Sequence, residues 1–291
     1  MSTPLAGQVV AAFGRQYLIR MAGDRSLVPC VTRGKKTDVV CGDQVMIQHT
    51  GGGQGVIEAI APRTSMLYRS DAFREKRIAA NVTQIIIVVA AEPSFSDELL
   101  ARCLVAARHE ALNVLIVLNK CDLQEPAQLA RQRLAVYAGL GYSVLELSAL
   151  ENVTTLRPLL TGHSSVLVGQ SGMGKSTLIN ALLPDALAAT REISTVLDSG
   201  KHTTTHAKLY QLDSESSLID CPGVQAFGLH HLTFGEIEQG FTEFTPYLGK
   251  CRFYNCRHAH EPNCALRNAT AAGEIDARRL ALFLQIVENK A

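Results

Sequence analysis

Gly169-Gln170-Ser171-Gly172-Met173-Gly174-Lys175-Ser176-Thr177 is the stretch whose reading decides the fold of this chain. It fits the phosphate-binding loop G-x-x-x-x-G-K-[ST]. The apolar run Ser165 to Val168 leads in as a short strand, and Leu178-Ile179-Asn180-Ala181-Leu182-Leu183 leads out at helical spacing. The glycines let backbone N–H groups curl around phosphates, and the helix N-terminus adds the positive end of its dipole. In such a loop Lys175 reaches the outer phosphates and the Ser176 hydroxyl ligates Mg²⁺.

Upstream, Gln84-Ile85-Ile86-Ile87-Val88-Val89-Ala90, Asn113 to Leu118 and Ser143 to Leu147 read as strands, the first two buried on both faces. Helical stretches separate them, from Ser96 to about Glu110 and from Gln128 to Ala138, with Ser96 placed to cap the first. Strand–helix alternation implies a parallel α/β sheet, whose ligands sit beyond the C-terminal ends of the strands. The second strand runs into Asn119-Lys120-Cys121-Asp122 and the third into Ser148-Ala149. N-K-x-D after a buried strand looks like the guanine-reading motif of GTPases. The Asp122 carboxylate only accepts, so it pairs with the two donors of guanine and rejects adenine. Asn119 braces the loop, Lys120 lies along the base, and the backbone at Ser148-Ala149 donates to the base oxygen.

Downstream, the polar segment Thr190 to His206 holds Gly200-Lys201-His202-Thr203-Thr204-Thr205, where Thr204 is placed to complete the Mg²⁺ shell as a switch residue would. After two more strands, Ala207 to Leu212 and Ser217 to Asp220, Asp220-Cys221-Pro222-Gly223 fits D-x-x-G, with Asp220 toward Mg²⁺ and the Gly223 N–H toward the γ-phosphate. The motifs run N-K-x-D, S-A, P-loop, switch threonines, D-x-x-G. That order is a circular permutation of the usual one. Val224 stands where a water-orienting Gln is common, and His202 is the neighbouring candidate for that task.

The flanks differ from this centre. Residues 1–62 offer five short strands punctuated by glycine turns, as in a small OB-type barrel, a shape used for oligonucleotides. Residues 63–80 read as a basic connector, 81–228 as the nucleotide domain and 229–291 as a mainly helical domain. Net charge is +1, distributed as +5 over residues 1–80, −7 over 81–249 and +3 over 250–291. Basic ends suit a polyanion such as RNA. With 47% hydrophobic residues the chain can bury a core, and it contains no transmembrane run or signal peptide, so a cytoplasmic protein with no membrane partner is expected. Five scattered cysteines read as free thiols of a reducing compartment. The other three form Cys251-x4-Cys256-x-His258-x5-Cys264, a closed set of three thiolates and an imidazole that matches one structural Zn²⁺. His260 reads as a surface residue, and Ile275 to Val287 as a helix packing on this lobe.

Taken together, the OB-like start, the permuted motifs and the C-x4-C-x-H-x5-C lobe resemble the RsgA/YjeQ family over nearly the whole chain. The resemblance implies a circularly permuted GTPase that binds the 30S ribosomal subunit and its 16S rRNA, assists late maturation, hydrolyses GTP slowly alone and faster on the subunit, and then leaves. It implies GTP or GDP with Mg²⁺ along Asn119 to Asp122, Ser148, Ala149, Gly169 to Thr177, Thr204, Asp220 and Gly223, and Zn²⁺ at Cys251, Cys256, His258 and Cys264. The family usually has Ser where Cys221 stands. A second reading keeps the nucleotide and the RNA but makes the chain a GTP sensor in which hydrolysis is incidental. A monomer is expected in either case.

Overall fold

The computed structural model describes residues 4–34, 38–71, 74–184, 207–221 and 228–289. His202, Thr204, Gly223 and Val224 lie outside these ranges.

Strands β1 (Leu5–Phe13), β2 (Gln16–Met21), β3 (Leu27–Thr32), β4 (Gln44–Gly51) and β5 (Gln54–Ile60) close on themselves. The ring order is β1-β2-β3-β5-β4 and back to β1, antiparallel except for β3–β5. Val9, Tyr17, Ile19, Val28, Cys30, Val45, Ile47 and Ile57 fill its interior. This is the five-stranded OB-like barrel expected from the sequence.

Residues 63–80 are more than a connector. β6 (Met66–Asp71) and β7 (Arg74–Ala80) form an antiparallel hairpin. Met66, Leu67, Ile78, Ala79 and Ala80 are buried, and these apolar residues were masked in the sequence by the basic ones around them. Arg63 clamps the barrel exit. It donates to both carboxylate oxygens of the fully buried Asp43, at 2.7 and 2.8 Å, and to the Asp38 carbonyl at 2.6 Å. Asp43 also accepts from the Val40 N–H at 2.8 Å. A buried carboxylate is tolerated because every bond it makes is charge-assisted.

The central sheet holds β8 (Gln84–Ala90), β9 (Asn113–Asn119), β10 (Ser143–Glu146), β11 (Ser164–Val168), β12 (Lys208–Gln211) and β13 (Ser217–Asp220). Its order is β10-β9-β8-β11-β13-β12, parallel throughout except for β12. Helices α1 (Asp97–His109), α2 (Gln124–Gly139) and α3 (Lys175–Leu182) connect these strands. The Leu99 N–H donates to Ser96 Oγ at 3.1 Å, so Ser96 caps α1 as read from the sequence. β8, buried along its whole length, is the middle of the core. Strand β12 does double duty. It pairs with β13 on one side, and on the other its Lys208 lies opposite Ala11 of the barrel. Arg20 donates to Gln211 across the same seam at 2.6 Å.

The C-terminal region contains α4 (Phe234–Gln239), a 3₁₀ turn (Thr242–Tyr247), α5 (Ala265–Ala271) and α6 (Ala277–Glu288). Thr233 and Glu236 form a capping box that starts α4. Helix α6 reaches further than the metal lobe. Its Phe283 meets Phe234, Phe241 and Phe244 edge to face, and its Gln285 donates to Glu98 of α1 at 2.9 Å. Arg279 is 2% exposed, forks onto Glu243, and lies over the rings of Phe241 and Tyr137 at 4.5 and 5.2 Å. Among the described residues no helix is long and apolar enough to cross a membrane.

Gly240 packs tightly against α1. A Cβ there would stand 2.8–3.0 Å from Cγ2, Cγ1 and Cα of Val105. Because one of these is backbone, the contact cannot relax by a rotamer change alone. Gly240→Ala is therefore expected to lose about 1–3 kcal/mol of stability, read as a lower midpoint in urea denaturation.

Candidate nucleotide and metal sites

The parallel strands deliver four loops to one edge of the sheet. β9 ends at Asn119, which is 2% exposed. Its Nδ2 donates to the Met173 carbonyl in the P-loop at 2.8 Å, and its Oδ1 accepts from the Ala149 N–H at 2.9 Å. One amide therefore ties the N-K-x-D loop, the S-A element and the phosphate loop together. The sequence reading aimed the Ala149 N–H at the base oxygen, whereas here it is given to Asn119. Ser148 Oγ is buried without a hydrogen-bond partner beside it. Lys120 adopts φ 63° and donates from Nζ to the Glu92 carbonyl at 2.7 Å. Cys121 is half-buried and Asp122 is exposed.

The phosphate loop needs its glycines for two separate reasons. Gly169 (φ 145°) and Gly174 (φ 89°) occupy backbone conformations that other residues avoid. A Cβ would also fall on the Val88 carbonyl oxygen from Gly169, and on Asn119 Nδ2 from Gly174. Gln170 Oε1 accepts from the Ser96 N–H at 2.7 Å, linking the loop to the start of α1. Met173 is buried under the loop, while Ser171, Gly172 and Ser176 face solvent and Thr177 is intermediate. Lys175 Nζ donates to the Gly169 and Gln170 carbonyls at 2.6 and 2.7 Å. Its ammonium is thus held at the mouth of the loop.

Asp220 ends β13, beside Leu167 of β11 and opposite Lys208 of β12. Burial raises its carboxyl, and the charges of Lys175 and Lys208 pull it back down. Burial lowers Lys175 and Lys208, while Asp220 acts in the opposite direction on both. One carboxylate flanked by two ammonium groups is a site arranged for a highly charged ligand.

A second cluster lies in the C-terminal region. The Sγ atoms of Cys251, Cys256 and Cys264 and one nitrogen of His258 all fall within 4.8 Å of one another. Cys251 and Cys264 sulfurs are 3.9 Å apart, and His258 Nδ1 stands 3.6 Å from Cys251 Sγ and 3.2 Å from Cys264 Sγ. Metal–sulfur bonds of about 2.3 Å and metal–nitrogen bonds of about 2.0 Å in a tetrahedron place ligand atoms roughly 3.4–3.8 Å apart. The four residues therefore fit a tetrahedral metal ion. His258 presents Nδ1 to the cluster, and its Nε2 bonds Glu238 of α4 at 2.5 Å. The ring stacks on Phe234, four residues before Glu238 on the same helix, at 6.1 Å. The Ala265 N–H donates to Cys251 Sγ at 3.3 Å. Burial pushes the Cys256 thiol up to about 12 and raises Cys264, so a cation has to displace protons from these sulfurs. His260 is exposed and outside the set, as read from the sequence.

A profile described as RsgA GTPase matches residues 60–230. The chain is 56% identical over 288 residues to the small ribosomal subunit biogenesis GTPase RsgA of Nitrosospira multiformis, covering 99% of this chain and 92% of that one. It is 52% identical to the protein of the same name from Paraburkholderia phymatum, covering 97% and 91%. The chain belongs to the RsgA GTPase family. Among solved structures, YjeQ from Thermotoga maritima superposes with a TM-score of 0.75 at 27% identity, covering 99% of both chains. YloQ, described as a circularly permuted GTPase, does so at 0.71 and 26%, covering 99% of this chain and 95% of that one.

As an RsgA GTPase the chain hydrolyses GTP, and its sheet carries the permuted strand order that the motif order implied. The fold brings Asn119, Ala149, the P-loop and Asp220 to one edge, and assembles the four metal ligands elsewhere. Glu238 had no signal in the sequence. It reaches His258 only because α4 packs against the ligand loop, 20 residues away in the chain. Residues in this relation to a ligand orient it and raise its basicity. Glu238→Gln is expected to weaken metal retention by about 10–100-fold, measured by competition with a chromogenic chelator, with nucleotide binding unchanged.

Proposed function

We propose that this RsgA GTPase binds the 30S ribosomal subunit through its 16S rRNA, assists late maturation of that subunit, and uses subunit-stimulated GTP hydrolysis to leave it. The observation that carries this reading is 56% identity, over almost the full length of both chains, to a relative named for small ribosomal subunit biogenesis. The nucleotide edge built around Asn119 is consistent with it. Residues 1–62 serve as the RNA-binding barrel, 63–80 as the connector that carries the β6–β7 pair, 81–228 as the GTPase domain and 229–291 as the zinc-binding domain. The protein acts as a cytoplasmic monomer.

In this reading Asp122 selects guanine by accepting from its two donors, and Lys120 lies along the base. Ser148 and Ala149 close the base pocket, with Asn119 and the incoming base competing for the Ala149 N–H. The amides of Gly169 to Thr177 cradle the phosphates, and Lys175 turns from its two carbonyls to the outer phosphates. The Ser176 hydroxyl and Asp220 would hold Mg²⁺, which neutralises charge on the phosphates when bound. The donor set suits it, a hydroxyl in the first turn of α3 and a carboxylate at the end of β13, the strand beside β11. Thr204 and Gly223 meet the γ-phosphate side, and His202 orients the attacking water. Zn²⁺ is the structural ion at Cys251, Cys256, His258 and Cys264.

Turnover of GTP measured alone, with 30S and with 50S subunits tests the proposal. Strong stimulation by 30S only is expected, and its absence with GTP still bound would favour the sensor reading. His202→Ala should abolish most of the stimulated rate while sparing GTP affinity. Asp122→Asn turns one of the two acceptors offered to the base into a donor, so it should weaken GTP binding by at least about 10-fold and improve binding of the xanthine analogue, as read by fluorescent nucleotide titration.

A further inference from the structure

The loop between the first two metal ligands is Arg252-Phe253-Tyr254-Asn255. Tyr254 is wholly exposed, at 101%, and Phe253 is 41% exposed. This is not a loose loop. Its ends are the ligands Cys251 and Cys256, the Cys256 N–H donates back to the Phe253 carbonyl at 3.2 Å, and the Arg252 N–H donates to the Asn263 carbonyl at 3.3 Å. Tyr254 therefore sits at the tip of a closed turn, and holding its backbone out in water has already cost the loop its conformational entropy.

The surroundings are cationic. Between residues 249 and 267 the chain has Lys250, Arg252, Arg257 and Arg267 against the single carboxylate Glu261. Glu261 is occupied by its own loop, accepting from the Arg257 and His260 N–H groups at 2.6 and 3.1 Å. The Arg252 guanidinium lies 5.5 Å from the centre of the Phe253 ring, and Arg257 lies 4.6 Å from that of Phe234. At the foot of the turn a cleft of about 390 Å³ opens from the Cys251, Cys256 and His258 cluster, and Phe253, Tyr254, Asn255 and Arg257 form its outer part.

An aromatic face, a side-chain amide and flexible cations on a rigid turn are the parts that single-stranded nucleic acid uses. Bases stack on the ring, the amide reaches a base edge, and the cations take the phosphates. A protein-binding patch would instead present contiguous apolar area, and here charged and polar groups interrupt it. We propose that Tyr254 is a stacking platform for an unpaired base of single-stranded RNA, with Asn255 at the base edge and Lys250 and Arg252 on the backbone. The proposal rests on the RNA-partner reading above and assigns it a second contact, separate from the barrel.

The test uses the full-length, metal-loaded protein and a short single-stranded RNA carrying one 2-aminopurine, titrated at several salt concentrations. Wild type should bind and quench the fluorophore. Tyr254→Ala should lose about 5–100-fold in affinity together with the quenching, with its salt slope, metal content and intrinsic GTP turnover unchanged. Tyr254→Phe should retain both binding and quenching. Arg252→Gln should flatten the dependence of affinity on salt by about one phosphate contact. Wild-type-like affinity in Tyr254→Ala, or binding by wild type without quenching, overturns this proposal alone. Failure of wild type to bind either the RNA or the 30S subunit overturns the RNA-partner reading as well. Loss of 30S binding by Tyr254→Ala with naked RNA binding intact would assign the ring to a protein partner and also overturn it.

Discussion

Asn119 occupies the point where a parallel sheet can be turned into a nucleotide site. A β-strand delivers one loop, and a purine nucleotide needs contacts from several. The Asn119 side chain bridges the loops after β9, β10 and β11 with two hydrogen bonds made in a dry environment, where an unpaired amide would be costly. Gly174 is required next to it, since any side chain would fall on its Nδ2. The constraint is reciprocal. The loop glycine makes room for the amide, and the amide holds the loop carbonyl that shapes the phosphate cradle.

The two flanking regions are attached to this centre through different elements, each by a mixture of apolar burial and hydrogen bonds. The barrel joins through a strand-edge pair at Ala11 and Lys208, the Arg20–Gln211 bond, and the burial of Val10, Ala11, Leu18 and Cys41 in the same core as the central sheet. The C-terminal region joins through close packing of Gly240 on Val105, the Arg279 guanidinium over the Tyr137 ring, and the Gln285–Glu98 bond. Strand β12 is the informative seam. It carries Lys208 opposite Asp220, and its other edge meets the barrel, so this strand alone separates the carboxylate of the D-x-x-G motif from the barrel wall. Permutation makes this arrangement available, because D-x-x-G is the last G motif in the chain and the metal lobe comes directly after it in sequence.

That lobe is small, and a metal ion held by its Cys/His cluster would do what a larger core does elsewhere. Four ligands drawn from 14 residues of sequence fix the loop geometry, and α4 supplies the Glu238 and Phe234 contacts that orient His258. The buried Arg279–Glu243 pair sits where α6 crosses toward Tyr137 of α2. Both ions find charge-assisted partners there, and two rings face the guanidinium, which is how a buried arginine is accommodated.

Much of this was legible in the sequence because it is local chemistry. A phosphate loop needs glycines at fixed offsets, a guanine-reading loop needs its carboxylate after a buried strand, and a zinc site needs soft ligands closely spaced. Those requirements, with strand, turn and capping patterns, determined the α/β class, the permutation, the five barrel strands and the Ser96 cap, and picked out the four residues of the Cys/His cluster. Tertiary structure decided what depends on residues distant in sequence. The hairpin at residues 66–80 forms because its apolar side finds a core, which its charged composition concealed. The Ala149 N–H goes to Asn119, 30 residues away, and Glu238 to His258, 20 residues away. Helix α6 rests partly on α1, nearly 190 residues upstream in the case of Gln285 and Glu98. Spacing rules reach only as far as a turn, a helix or a ligand loop, whereas pairings of this kind are set by which surfaces the completed sheet brings face to face.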